Sequence, residues 1–382
     1  LSILYVKFEY SNLEAFYIVT KIDMRLPKAK IINVPKYVVG ASLFGKKPIK
    51  IKLSANESAL GPSPKAIKEY NKISKSFKRY PPDGEILNKI LAKKFKIDSS
   101  RIILGSGSDQ ILELICKAFL KKNDEVIVSK YSFIVYRIYS KINNAKVIYA
   151  KENNFTVSIK NILSSVTKKT KIVFLANPNN PTGTYINKKD LLNLRKKLRS
   201  DILLVVDDAY FEYVNKKDYS SGLDLFARNK NVVITRTFSK IYGLAGLRLG
   251  WGYASKQIIG SLKLVKPPFN VNKPAIFAAS AAVLDAQWLK KEIDHVIKWR
   301  QIMYEFFKNM KIETNKSNAN FLMINFNRIK INSNKVYNFL GRSGILVRKM
   351  DSYGINNSLR VTIGKQDENK RLISKLRKII NV

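Results

Sequence analysis

The sequence predicts an α/β protein: a large domain built on a mainly parallel sheet flanked by helices, and a smaller α+β domain. Three observations predict it. Short apolar runs alternate with helical patterns through the middle of the chain. Several runs are continuously apolar, among them Ile172-Val-Phe-Leu-Ala176, Ile202-Leu-Leu-Val-Val206 and Val232-Val-Ile-Thr235. Strands that are buried on both faces of a parallel sheet read that way. Beyond about residue 275 the alternation gives way to long helix and scattered strands.

Taken in order, Ser63-Pro64 supplies an N-cap followed by Pro at the first helical position, opening a helix through Lys75. Strands are expected at Arg101–Leu104, Glu125–Val128, Lys146–Tyr149, Lys171–Ala176, Asp201–Val206, Asn231–Thr235 and Leu249–Tyr253. Helices such as Asp109–Leu120 and Lys188–Leu198 lie between them. Then follow a long helix over Pro274–Arg300, strands at Asn320–Asn325, Gly344–Arg348 and Leu359–Ile363, and a final helix Glu368–Ile380. In an open parallel sheet, ligands sit beyond the carboxyl ends of the strands, so chemistry is expected there.

Composition narrows the function. The 382 residues are 46% hydrophobic and 26% charged, ordinary for a globular protein and unlike a disordered or collagen-like chain. One cysteine, Cys116, excludes an intrachain disulfide and a Cys-rich zinc site, and one histidine, His295, excludes a multi-His metal centre. No metal site is expected. Acid–base chemistry must run mainly on Lys, Asp, Glu and Tyr. Both His295, in a helix, and Cys116, in an apolar helix, read as structural.

The 70 Lys+Arg against 28 Asp+Glu give a net charge of +42. Lysine pairs are spread along the chain, and no RNP-type, zinc-finger or basic-zipper pattern accompanies them. The abundance of Lys, Asn and Ile together is the mark of an AT-rich genome. A weak, salt-sensitive attraction to polyanions is expected, and no specific nucleic-acid partner. The charge-free stretch Pro274–Leu284 is far short of a membrane span, and charges such as Lys7, Glu9 and Glu14 break up any leader-like core. The first methionine is Met24, and residues 1–23 are expected to be an extension outside the working fold.

Three strand ends carry unusual polar groups. One runs into Asn177-Pro-Asn-Asn-Pro-Thr-Gly183, one ends in Asp207-Asp-Ala-Tyr210, and one ends in Arg236-Thr-Phe-Ser-Lys240, with Arg248 eight residues on. Singly each is turn chemistry or one more cation. Together they match a pyridoxal phosphate site, which needs a lysine for a Schiff base, a carboxylate to keep the ring nitrogen protonated, and donors for the phosphate. Lys240 suits the first role, Asp207 the second, and Thr237, Ser239 and Arg248 the third. Gly105-Ser-Gly-Ser-Asp-Gln110 opens a helix whose free N–H groups favour an anion.

With these motifs the chain resembles the class I/II, fold type I, aminotransferases from about residue 27 onward. Within them it is most similar to the histidinol-phosphate aminotransferase branch. Leu53-Ser-Ala-Asn-Glu57, Gly61-Pro-Ser-Pro64, Arg79-Tyr-Pro81, Pro268-Phe-Asn-Val-Asn272 and Leu359-Arg-Val-Thr-Ile-Gly364 carry that similarity. The resemblance implies an extension at 1–26, an arm and part of the small domain at 27–75, a large cofactor-binding domain at 76–275 and a small domain at 276–382.

It implies pyridoxal 5'-phosphate as cofactor, Lys240 as its covalent anchor and proton carrier, and Asp207 against the ring nitrogen. Asn180 and Tyr210 would hold the phenolic oxygen, Phe133 would stack on the ring, and Ser108, Asp109, Thr237, Ser239 and Arg248 would surround the phosphate. Tyr80 would reach the phosphate of the neighbouring subunit, making a homodimer with shared active sites. Arg360, helped by Arg348 and with Asn56 nearby, would bind substrate. The implied reaction moves an amine from L-histidinol phosphate to 2-oxoglutarate, in the cytoplasm. An aromatic amino-acid aminotransferase, a phosphothreonine decarboxylase and, remotely, a nucleic-acid-binding protein on this fold remain alternatives. Where many members carry a tyrosine or Asn-Pro-Tyr after the Asn-Glu pair, this chain has Ser58-Ala-Leu60.

Overall fold

A seven-stranded sheet organises the chain. We number its strands in chain order as β1 (Ile102–Gly105), β2 (Glu125–Ser129), β3 (Lys146–Ala150), β4 (Thr170–Ala176), β5 (Leu203–Asp207), β6 (Val232–Thr237) and β7 (Gly250–Tyr253). Their order across the sheet is β1-β7-β6-β5-β4-β2-β3. Every neighbouring pair is parallel except those made by β7, which runs antiparallel to β1 and β6. The protein is seen in a computed structural model that describes residues 34, 43–45, 47–73, 76–329 and 331–380. The expected extension at residues 1–23 lies outside them. The described fold from residue 43 onward belongs to one compact unit, Pro35–Val382.

The apolar runs become the buried central strands. Every residue of β2, β5 and β6 is buried, and all of β4 but Lys171. Each buried Val, Leu, Ile or Phe stabilises by roughly 1.5–3 kcal/mol relative to exposure, so these strands anchor the fold. The connecting helices have local reasons to start. Asn187 accepts from Asp190 N at 2.9 Å to cap the helix Lys188–Lys197. Ser63 Oγ accepts from Ala66 N at 3.2 Å, as the Ser-Pro pair predicts, and that helix runs Pro64–Ile73. Its expected last residues, Ser74 and Lys75, lie outside the described residues.

Two expectations are corrected. The single helix over Pro274–Arg300 is two helices, Lys273–Leu284 and Ala286–Asn309. They part at Asp285, whose φ −90° and ψ 70° are non-helical and whose carboxylate reaches Lys65 Nζ at 3.6 Å. The strand Gly344–Arg348 is also divided. Ile345–Leu346 pairs in parallel with Ile51–Lys52, whereas Arg348–Lys349 pairs antiparallel with the strand Ser358–Thr362. That second strand belongs to a four-stranded sheet with Phe321–Asn325 and Glu313–Thr314. Among the described residues, no helix is long and apolar enough to cross a membrane.

Candidate active site

Parallel strands β4, β5 and β6 end together, and their carboxyl ends open on a cavity of about 480 Å³. Of the residues singled out in the sequence, Asn56, Ser108, Asp109, Phe133, Asn180, Asp207, Tyr210, Thr237, Ser239, Lys240, Arg248, Arg348 and Arg360 all line it. Tyr80 does not. It is 77% exposed and stacks on Phe269, ring centroids 4.3 Å apart.

Asp207 is the last residue of β5 and is buried. Tyr136 donates its hydroxyl to Asp207 Oδ2 at 2.7 Å, while Oδ1 is buried with no hydrogen-bond partner among the described residues. Burial pushes this carboxyl up to about 6. A lone buried acceptor aimed into a cavity is costly unless a donor arrives. A protonated pyridine nitrogen is such a donor, so the residue fits the cofactor that the sequence implies. Tyr136 itself is fully buried and stacks parallel on Phe174 at 4.9 Å, with Phe133 edge-on to it at 5.7 Å. The adjacent Asp208 has a different task. It accepts from Gly222 N at 3.1 Å and lies 3.5 Å from the buried Arg236, tying β6 to the start of the helix Gly222–Phe226.

At the other end, the helix Gly107–Phe119 points its N-terminus into the cavity. Arg248, in left-handed conformation at φ 53°, brings Nη1 to 3.4 Å from Ser239 Oγ and Nη2 to 3.6 Å from Asp109. Thr237 Oγ1 accepts from Ser239 N at 3.0 Å. Two glycines make the closeness possible: a Cβ on Gly250 would sit 2.2 Å from Ser108 N, and one on Gly107 would sit 2.6 Å from Arg248 Nη2. Backbone amides, hydroxyls and a guanidinium around one pocket end suit a phosphate.

Lys240 stands between these two ends. Its Nζ donates to Ala55 O at 3.1 Å. Burial, reinforced by the Arg360 charge, lowers this amine to about 8. Asn180 is the only asparagine of its loop that lines the cavity: Asn177 instead donates to Ile186 O at 3.1 Å, and Asn179 to Tyr131 O at 3.0 Å. Asn180 Oδ1 accepts from Arg360 Nη1, whose Nη2 donates to Ser54 O at 3.0 Å. Asn56, at φ 54°, donates to Tyr210 OH at 3.0 Å and is held by Thr362 and Asn320. Arg348 and Arg360 are direct cross-strand partners. Like charges so placed repel, and Arg360 Nε is also buried with no partner among the described residues. An anion between them would relieve both costs.

Sequence reasoning missed Tyr136, Ser54, Ala55, Lys52, Glu57 and Tyr353 as lining residues. The one available signal was spacing: Tyr136 lies one helical turn beyond Phe133 and so returns to the same side. His295 Nε2 lies 2.9 Å from Gly364 O, and Cys116 is buried with its thiol pushed up to about 12, both structural as expected.

The family model for aminotransferase class I and II matches residues 48–376. The chain belongs to that family. It is 50% identical to a histidinol-phosphate aminotransferase of Pelagibacter ubique across 94% of this chain and all of that protein. It is 40% identical to one of Paramagnetospirillum magneticum across 93% of this chain and 98% of the relative. Among aminotransferases of known structure, the histidinol-phosphate aminotransferase of Sinorhizobium meliloti, in complex with pyridoxal-5'-phosphate, superposes with a TM-score of 0.82 at 22% identity, over 88% of this chain and 92% of that one. That likeness shares the fold type I architecture.

Proposed function

We propose that the chain is a pyridoxal phosphate-dependent transaminase that moves the amino group of L-histidinol phosphate to 2-oxoglutarate in histidine biosynthesis, forming imidazole acetol phosphate and glutamate. One observation carries the chemistry: a lysine held near 8 and a buried carboxylate with an open oxygen share one cavity. Identity to full-length relatives of that name supports the substrate.

Bound pyridoxal phosphate would supply an electron sink for negative charge on the substrate's reacting carbon. Asp207 Oδ1 would hold the proton at the ring nitrogen, and Asn180 and Tyr210 would take the phenolic oxygen. Phe133 would cover the ring, and Arg248, Thr237, Ser239 and the backbone at Ser108 and Asp109 would take the phosphate. Neutral Lys240 Nζ accepts the proton from the substrate's α-carbon and later releases it; a positioned base contributes about 10²–10⁴-fold. Arg360, with Arg348 opposite it, binds the phosphate of one substrate and a carboxylate of the other through its guanidinium fork. In this reading Tyr80, exposed beside Phe269, completes the site of a partner subunit in a homodimer, and the enzyme works in the cytoplasm.

The test is a comparison of amino donors with 2-oxoglutarate as acceptor. Histidinol phosphate should give the highest kcat/KM and should bleach the cofactor's absorbance band without any keto acid. A preference for phenylalanine or tyrosine, or carbon dioxide release from phosphothreonine, would replace this reading. Arg360→Ala should weaken both half-reactions, by about tenfold or more for each hydrogen bond lost to a charged group.

Lys240 also fixes a pH dependence. Capture of the cofactor aldehyde needs the neutral amine. The reconstitution rate of the cofactor-free protein should therefore climb as pH rises through about 8 and level off above it. A rate still climbing at pH 10 would mean that the lysine keeps its ordinary basicity.

A further inference from the structure

Two adjoining pockets, of about 760 and 750 Å³, lie outside the active site and share Asn154, Tyr304, Lys308 and Asn315. Together they form a cleft between the helix Ala286–Asn309 and the segment 311–318, with Asn154 and Tyr185 on the opposite wall. Lys216, Lys308, Lys311 and Lys316 line it and are exposed. None of these four makes an ion pair among the described residues.

Lysines are common in this chain, so they alone say little. Arg300 says more. It is buried to 7% exposure and lines the cleft. Its Nη1 donates to Tyr213 O at 3.2 Å and Ala319 O at 3.0 Å, and among the described residues no carboxylate pairs with it. Burial lowers it to about 10, with only the Tyr213 hydroxyl acting the other way. A buried cation without a counter-ion is costly, and a mobile anion in the cleft would offset that cost. The acids in the cleft do not serve: Glu313 is taken by Arg328, and Glu305 accepts from Gln301.

The cleft also touches the back of the loop that carries Asn180. Asn318 N donates to Gly183 O at 2.8 Å, and Asn315 Nδ2 approaches Thr182 O at 3.4 Å. Gly183, at φ 73°, packs so tightly on Ser317 that a Cβ would meet its Oγ at 2.2 Å. On the far side of this loop Asn180 accepts from Arg360. An anion on Lys316 and Arg300 therefore acts on a segment two hydrogen bonds from the substrate-binding arginine.

We propose that this cleft is a second anion site, separate from the catalytic cavity, that takes a small multiply charged phosphate compound such as a polyphosphate or a nucleoside triphosphate. Its phosphates lie on Lys308, Lys316 and Arg300, and Tyr304 provides an aromatic wall for any attached ring. The site is independent of which amino donor the enzyme uses.

The test is calorimetric titration of the holoenzyme with tripolyphosphate and with adenosine triphosphate at physiological ionic strength. The variants are Lys308→Glu/Lys316→Glu and, as a charge-matched control away from the cleft, Lys121→Glu/Lys122→Glu. The expected result is one site per chain, weakened about tenfold or more in the cleft variant and less than threefold in the control. Tighter binding of the nucleotide than of tripolyphosphate would add recognition of the ring; equal binding would leave the phosphate chain as the whole ligand. Absence of binding to the wild type overturns the proposal. So does equal weakening in both variants, which would assign the effect to the overall +42 charge. Binding that the cleft variant leaves intact overturns it too, by placing the anion at Arg360.

Discussion

Lys240→Ala is expected to lower turnover by at least about 10²–10⁴-fold, the share of a positioned base alone, or roughly 3–5 kcal/mol of barrier. The fold should not suffer. Lys240 is half-buried, and its amine falls from an ordinary 10.5 to about 8 because desolvation opposes the charged form. A depressed lysine costs the folded state stability at every pH below about 8, progressively less between 8 and 10.5, and nothing above. Removing it should therefore leave the cofactor-free protein's melting temperature unchanged or higher at pH 7. Lys240→Arg should not restore activity, because a guanidinium stays protonated and cannot accept the proton. Small primary amines added to Lys240→Ala should recover part of the rate. A variant that keeps more than about a tenth of wild-type turnover would remove Lys240 from the chemistry. A variant that loses activity together with its melting transition would show only that it misfolds, and amine rescue separates that case.

The parallel core was legible because its signal is local. Strands buried on both faces carry continuous apolar runs, and β4, β5 and β6 each do, so their positions came out within two residues. Their ends then located Asp207 and Thr237 without any tertiary information, whereas the choice of Asn180 among the asparagines of its loop came from the family resemblance. Legibility fell where a residue's partners lie far away in sequence. The break at Asp285 is a contact with Lys65, and the split at Val347 arises because each half finds a different strand. The composition does change at Asp285, from Ala-rich to Lys- and Glu-bearing, but periodicity runs through it. Tyr136 was passed over for a similar reason: its spacing from Phe133 places it on the same helix side, but its role shows only when the fold sets its hydroxyl against Asp207. The Ser58-Ala-Leu60 departure is likewise answered by a residue far away in sequence. Ala59 N and Leu60 N both donate to the buried Glu292 carboxylate, at 3.1 and 3.0 Å, so the backbone there is fixed without the usual side chains.

Asp207→Asn separates what this carboxylate does for the fold from what it does for the reaction. For activity the expected loss is about 10²–10³-fold, similar to removing one preorganised charge-stabilising group from a water-excluded site. For stability the expectation has the opposite sign. Burial raises Asp207 from 3.8 to about 6, so its ionised form costs the cofactor-free protein stability. The cost is full above about 6, fades as pH falls toward 3.8, and vanishes below that. The asparagine variant should therefore melt at a higher temperature than the wild type at pH 8 and at the same temperature near pH 4, both without cofactor. Tyr136→Phe should lie between, losing about tenfold in activity, because it strips Asp207 of the Tyr136 hydroxyl and lifts the carboxyl further. Adding cofactor should stabilise the wild type more than Asp207→Asn, since only the carboxylate gains a cation to face. If the asparagine variant were less stable at pH 8, the open Oδ1 would be part of an unseen structural network. If it kept full turnover, the ring nitrogen would need no buried anion, and Asp207 would be a strand end and nothing more.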